Sequence, residues 1–460
     1  MLTPDNILVG TMILGLLSLL LFVLKNDELL ALFVLFFYTT GLTRYNLVIS
    51  GQERWVSVAY SKNIFSLNNE LGLQALNYFF LGTVCISVFY FIFSMGRNAP
   101  EEFKDDPGIM KSFLTRFQLY IVGSFLVIGT VSFYAKLSFV NSFIASGGGI
   151  SLGGSYYVMI GFGLGGVISL MYLVFKNYEL KDQLFVKMIF GAIIAFAATL
   201  TYSSSGRFQF LSWSITMGII FVGDKNPLYK IRIYLIGGLI VSLAFGLAGV
   251  QRRTDTSTMS TVEKLTAAWD RNKSTEDATM LDGFMMVLQV YPQHLNYHYG
   301  SEHLEILYRP IPRSIWPNKP LGGYANKLGL NDIMGGGSVG ISQSLFGSFY
   351  GEGGVSGIIV LSFIYAFIIN SIMQFSLRYN SDVRHLIKGI TISSLIPLLR
   401  GGDLPGVYAF IGMTFWPVIY FIYKYGKFAA IIKFSELVMQ RKLRQEYLFN
   451  QKNKDVEYVG

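Results

Sequence analysis

Residues 7–24 read Ile-Leu-Val-Gly-Thr-Met-Ile-Leu-Gly-Leu-Leu-Ser-Leu-Leu-Leu-Phe-Val-Leu, eighteen positions without a charge. About twenty such residues, coiled as a helix, match the hydrocarbon thickness of a bilayer. In that medium a helix is one of the few structures that satisfies every backbone polar group internally. The pattern recurs outward along the chain at 29–42, 73–95, 119–134, 156–175, 184–200, 208–222, 233–250, 355–375, 386–399 and 407–423. The expected fold is therefore an all-α polytopic membrane protein with about eleven spans. Composition agrees: 52% of residues are hydrophobic and 14% charged, about half the usual charged share.

Cations orient the expected spans. The tail from Lys424 carries Lys427, Lys433, Arg441, Lys442 and Arg444, so the C-terminus is assigned to the cytoplasm. Counting back puts Arg97, Lys104, Lys111 and Arg116 inside, with Lys176, Lys181, Lys225, Lys230, Arg232, Arg378, Arg384 and Lys388. An odd number of spans leaves the N-terminus outside. The exterior then receives the cation-free segment 137–155, short turns at Arg207 and Arg400, and a long polar interlude at 251–354. Long loops are exempt from the positive-inside count. The net charge of +9 is thus a topology signal, and no motif of a nucleic-acid binder accompanies it. Cys85 is the only cysteine, which excludes an internal disulfide. Asp5 in place of a basic leader makes the first run a retained helix.

The chain divides into spans one to eight (1–250), the exterior interlude (251–354), spans nine to eleven (355–424) and a basic tail (425–460). Within the interlude, Ser260 and Glu263 fit a capping box ahead of a helix. Further short helices are expected over 279–290 and 301–307, each stopping at a proline, and Gly335, Gly336 and Gly337 form a joint. These pieces make a small cap on the exterior face.

The residues that carry chemistry gather there. Arg309 to Pro320 reads Arg-Pro-Ile-Pro-Arg-Ser-Ile-Trp-Pro-Asn-Lys-Pro, and four prolines in twelve residues forbid a helix. Arg309, Arg313, Lys319 and Trp316 are thereby displayed on stiff backbone beside a bilayer, a surface suited to an anionic, partly apolar ligand. Arg207 and Arg400 each adjoin glycine in exterior turns; each either snorkels from a helix end or binds a ligand. Glu352 and Asp403 lie beside a span, as helix-start charges or as a base. His294, His298 and His303 cluster near Glu302 and Glu305, open to surface packing, an acid–base role or metal ligation, though no H-E-x-x-H is present. Gly161, Gly163 and Gly166 match GxGxxG, but within an apolar run this reads as close helix packing.

This pattern resembles the bacterial oligosaccharide repeat-unit polymerases, the Wzy family of O-antigen and capsule assembly. The resemblance rests on the late exterior loop and on Pro312-Arg313-Ser314-Ile315-Trp316-Pro317-Asn318-Lys319-Pro320. Ser205-Gly206-Arg207, the segment 347–357 and Leu399-Arg400-Gly401-Gly402-Asp403 extend it. It covers 203 to about 410; the first half matches in hydropathy alone. The resemblance implies a periplasmic glycosyltransferase of the inner membrane that uses undecaprenyl-diphosphate-linked glycans, with no cofactor and no metal, and it leaves room for a chain-length regulator as partner. It implies a diphosphate clamp, here assigned to Arg207, Arg313 and Arg400 with Arg309 and Lys319 in support. Trp316 would stack on a sugar or sit at headgroup level. The base would be Glu352, His303 or Asp403. The alternatives are an O-antigen ligase, with a lipid A-core acceptor, and a flippase or transporter, against which the missing internal repeats count.

Overall fold

The computed structural model describes residues 1–56, 65–97, 107–145, 161–202, 207–253, 259–273, 279–308, 311, 315–318, 342–402 and 404–457. Among these the chain is all-helical. The helices are α1 (Pro4–Lys25), α2 (Leu29–Ile49), α3 (Asn69–Met95), α4 (Pro107–Ala145), α5 (Leu164–Asn177), α6 (Leu184–Thr201) and α7 (Arg207–Val222). They continue as α8 (Pro227–Arg253), α9 (Thr261–Lys273), α10 (Met280–Val290), α11 (Ser301–Tyr308), α12 (Ser344–Ser376), α13 (Ser381–Arg400) and α14 (Leu404–Glu457). Ten of the eleven expected apolar runs fall within helices, and the run 156–175 does so from Leu164 on, its first five residues lying outside the described ones. Among the described residues eight helices are long and apolar enough to cross a membrane. The other three are shorter or more polar: α5 and α7 have 14 and 16 residues, and α13 carries charge in its first turns.

Local chemistry sets the helix ends. Thr3 caps α1 by accepting the Asn6 amide at 3.3 Å, and Asn26 closes it in a left-handed conformation with φ 53°. Asn68 and Asn380 cap α3 and α13 in the same way. The expected capping box is present, with the Ser260 amide donating to Glu263 Oε2 at 2.7 Å and the Glu263 amide to Ser260 Oγ at 3.3 Å. Helix α2 runs seven residues past its apolar stretch, through a π turn at Tyr38–Leu42. Thr39 and Thr40 hydroxyls bond back to the Leu35 and Phe36 carbonyls there, so these polar residues remain helical.

Two buried apolar clusters result. One joins α1, α2, α3, α10, α12 and the second half of α13. The other joins α4, α5, α7, the first half of α13 and α14. Helix α10 is the short helix expected over 279–290. It is buried on nearly every side and packs against α3 and α12, because its sequence Met-Leu-Asp-Gly-Phe-Met-Met-Val-Leu-Gln-Val offers no polar face.

The bundle has two distinct ends. At one, Lys230 Nζ reaches Asn26 Oδ1 at 2.6 Å, Lys25 Nζ reaches the Arg97 carbonyl at 3.2 Å, and Lys176 pairs with Asp382 at 2.7 Å. At the other, Gln289 exchanges two hydrogen bonds with Ser66, and Gly401 forms a parallel bridge with Ser344. The contacts at the first end join segments that the cations assign to one side, and those at the second join segments assigned to the other. The cations at the first end are not all solvated, however. Lys230 and Lys388 are buried, and Lys388 pairs with Glu28 while Asp27 binds Tyr90 and Arg97. Buried cations need such partners, and the sequence places the matching acids in distant segments.

Candidate functional site

At the interlude end, α12 breaks at Gly353 and Gly354. Gly354 has φ 64°, ψ −142°, a region that excludes a side chain. A helix that stops leaves carbonyls without partners. Here those of Gly351 and Glu352 accept the backbone amides of His298 and Tyr299, at 3.0 and 2.8 Å. The next amide, Gly300, donates to the Glu352 carboxylate itself. Three successive N–H groups thus lie against one helix end, and a carboxylate that is 3% exposed is held by a fixed backbone donor.

Helix α11 brings His303 to the same carboxylate. Its Nδ1 is 2.9 Å from Glu352 Oε1, and its Nε2 is 3.0 Å from Tyr365 Oη, which comes from α12 beyond the break. The bonding order follows from donor and acceptor capacity. An ionised Glu352 only accepts, so Nδ1 carries the proton, and in the neutral ring Nε2 then accepts the Tyr365 hydroxyl. The arrangement is a carboxylate, an oriented imidazole and a hydroxyl in a row. Phe349, Tyr365 and Tyr408 surround the ring, at centroid distances of 6.4, 5.9 and 6.2 Å, while the His303 side chain keeps 21% exposure. An imidazole with its Nδ1 anchored and its Nε2 basic is equipped to accept a proton from a ligand hydroxyl.

Of the expected site residues, Glu352 and His303 are therefore joined. Arg400 ends α13 with its guanidinium over the Phe208 ring at 5.4 Å. The following residue, Gly401, pairs with Ser344, the first residue of α12. Glu352 follows eight helical steps after Ser344, a rise of about 12 Å. Trp316 packs on Tyr308 at 5.5 Å. Arg207 opens α7, and its side chain lies outside the described residues, as do Arg309, Arg313, Lys319 and Asp403. The histidine cluster separates into distinct roles: His298 Nε2 bonds Tyr291 Oη at 2.7 Å, and His294 is exposed. Among the described residues, no group of three or more His, Cys, Asp and Glu is arranged to hold a metal ion.

Tyr365 and Tyr408 are partners that sequence reasoning missed. Both sit inside apolar runs, where a tyrosine reads as a membrane-interface residue, and only the fold brings them to His303. A second buried ion group joins α2 to α10. Arg44, on α2, meets Asp282 of α10 through Nε and Nη2, both at 2.8 Å. It also pairs with Glu53 and donates to the Arg54 carbonyl. Arg44 lies past the apolar run 29–42, and its place in the buried end of α2 comes from the extension of that helix. Comparison with known protein families, curated proteins and solved structures finds no match for this chain.

Proposed function

We propose that this chain is a glycosyltransferase that polymerises undecaprenyl-diphosphate-linked oligosaccharide repeat units into O-antigen or capsular polysaccharide. The observation that carries the reading is the Glu352–His303–Tyr365 array. It lies at the end of the bundle that also bears the cation-rich interlude. In the orientation taken from the cations, that end is periplasmic, the N-terminus shares it, and the C-terminus is in the cytoplasm of a bacterium whose inner membrane holds about eleven spans.

The chemistry follows from the array. An acceptor hydroxyl on the incoming repeat unit takes the place of Tyr365 at His303 Nε2. Its oxygen bonds to the anomeric carbon of the growing chain while its proton passes to Nε2. The bond from that carbon to the diphosphate oxygen breaks, and the electron pair leaves on undecaprenyl diphosphate. Glu352 is the positioning residue, since it holds the Nδ1 proton and steadies the imidazolium that forms. The leaving group gathers negative charge, which guanidinium groups neutralise through charge-assisted bonds of about 1.5–3 kcal/mol each. We assign this task to Arg400, at the Ser344 end of the helix, and to Arg207, Arg309, Arg313 and Lys319, with Trp316 stacking on a sugar or sitting at headgroup level.

The test is deletion of the gene, complementation at matched expression, and separation of surface polysaccharide on a gel. A single repeat unit on lipid A-core after deletion, with a ladder restored by wild type and not by His303→Ala, is the expected result. Loss of even the single unit on deletion assigns the chain to ligation or flipping and overturns the reading.

A further inference from the structure

Tyr299 adopts φ 48°, and it is one of three non-glycine residues with positive φ among those described. The other two have evident reasons: Asn26 closes a helix, where this conformation is common, and Ser344 starts α12 at the bridge to Gly401. For a bulky side chain the left-handed region is an outlier that surrounding contacts must enforce. Here the enforcing contacts are the amides of 298, 299 and 300, all donated to Gly351 and Glu352. Together with Gly300 at φ 89°, the turn aims these groups at the Glu352 end of α12.

That explains the backbone and leaves the side chain unexplained. Glycine or asparagine adopts the same conformation at less cost. The Tyr299 ring is also 80% exposed, so burial returns little stability for it. Among the described residues its ring contact is edge-on to Tyr297, at 6.1 Å and 76°, which orients the ring without covering its faces. Tyr297 in turn lies under the break in α12, since a side chain at Gly354 would meet its hydroxyl at 3.0 Å. An aromatic ring is therefore held open to ligand on a strained turn, one residue from the amide that binds Glu352.

We propose that Tyr299 is the platform on which a pyranose ring of the saccharide rests beside the Glu352–His303 pair. The inference deepens the glycosyltransferase reading and rests on it for the identity of the ligand. A pyranose has an apolar C–H face and a hydroxyl-bearing rim. Tyrosine matches that combination, offering a flat apolar body at low conformational cost and a polar tip.

The test measures binding, not turnover, so that it stands apart from the polymerase assay. The full chain in detergent is titrated with the repeat-unit oligosaccharide obtained by partial hydrolysis of the host's surface polysaccharide. Tyr299→Gly removes the ring and keeps the backbone; Tyr299→Phe keeps the ring. Wild type is expected to bind, Tyr299→Gly to bind about tenfold more weakly with an unchanged melting temperature, and Tyr299→Phe to stay within about twofold of wild type. Equal affinity of Tyr299→Gly and wild type overturns the proposal, as does absence of binding by wild type. A Tyr299→Phe loss as large as that of Tyr299→Gly also overturns it, because the ring face would then contribute nothing. If Tyr299→Gly weakens binding while His303→Ala retains the polysaccharide ladder, the platform stands and the polymerase mechanism falls.

Discussion

Arg44→Met is expected to destabilise the protein by about 3–5 kcal/mol, the usual cost of breaking a buried ion pair from one side. The estimate follows from what is left behind. Asp282 has no exposed surface and accepts from Arg44 Nε, Arg44 Nη2 and the Val56 amide, each at 2.8 Å. Without Arg44, its charge keeps only the Val56 amide among the described residues. The reverse change is milder. Asp282→Asn leaves Arg44 with Glu53 and the Arg54 carbonyl, so the loss is nearer 1–3 kcal/mol, as for an imperfectly satisfied hydrogen-bonding group. The double variant Arg44→Met/Asp282→Leu removes both charges and should cost at least about 2 kcal/mol less than the sum of the single changes Arg44→Met and Asp282→Leu. Denaturant unfolding in mild detergent measures all four, and fluorescence of Trp55, whose ring lies 5.7 Å from the Arg44 guanidinium, reports the loop locally. Additive costs, or an Arg44→Met penalty below about 1 kcal/mol, would refute the reasoning.

Three further outcomes are expected. His303→Ala should lower turnover of purified lipid-linked repeat units by about 10²–10⁴-fold; Glu352→Gln should shift the pH profile, with Glu352→Asp recovering part of the rate, and an unchanged profile would remove Glu352 from its positioning role. Gly166→Ala should destabilise the packing of α5 on α14 by about 1–3 kcal/mol, because its added carbon would lie 2.6 Å from the Thr414 carbonyl; a melting curve matching wild type contradicts this. Burial pushes the Asp224 carboxyl up, but the Ser381 hydroxyl, His385 and the Lys176 ammonium together more than reverse that, so it ends below its ordinary 3.8. A depressed acid stabilises the fold above its unfolded pKa, and that contribution is lost as pH falls through the folded value. Asp224→Asn should therefore lower stability at neutral pH and flatten its decline below about pH 4, read from melting temperatures across that range.

The spans were legible in the chain because a bilayer asks for one property, a run of apolar residues of sufficient length, and that property is local. Stretches such as 7–24 carry it without reference to any other part of the molecule, and capping pairs such as Ser260 and Glu263 are equally local. Cation placement likewise sorted the loops onto two ends. Glu352 and His303 were recognisable as candidates by residue type and by their neighbours, as polar groups beside a span. Their mutual hydrogen bond was not, since it joins positions 49 apart and depends on where the break at Gly353 and Gly354 turns the carboxylate. Tyr365 and Tyr408 were hidden among apolar neighbours for the same reason. The partners of Lys388 and Arg44 were hidden too. A charge declares its own need for a counter-charge, but which of many acids supplies it is settled by packing across 238 residues in the case of Arg44 and Asp282. The sequence by itself determined the helices and the ends of the bundle to which loops belong, because hydrophobic and capping preferences act over a few turns. Tertiary structure alone decided which distant polar groups meet, because burial forces each to find a partner and only the packed helices bring that partner within reach.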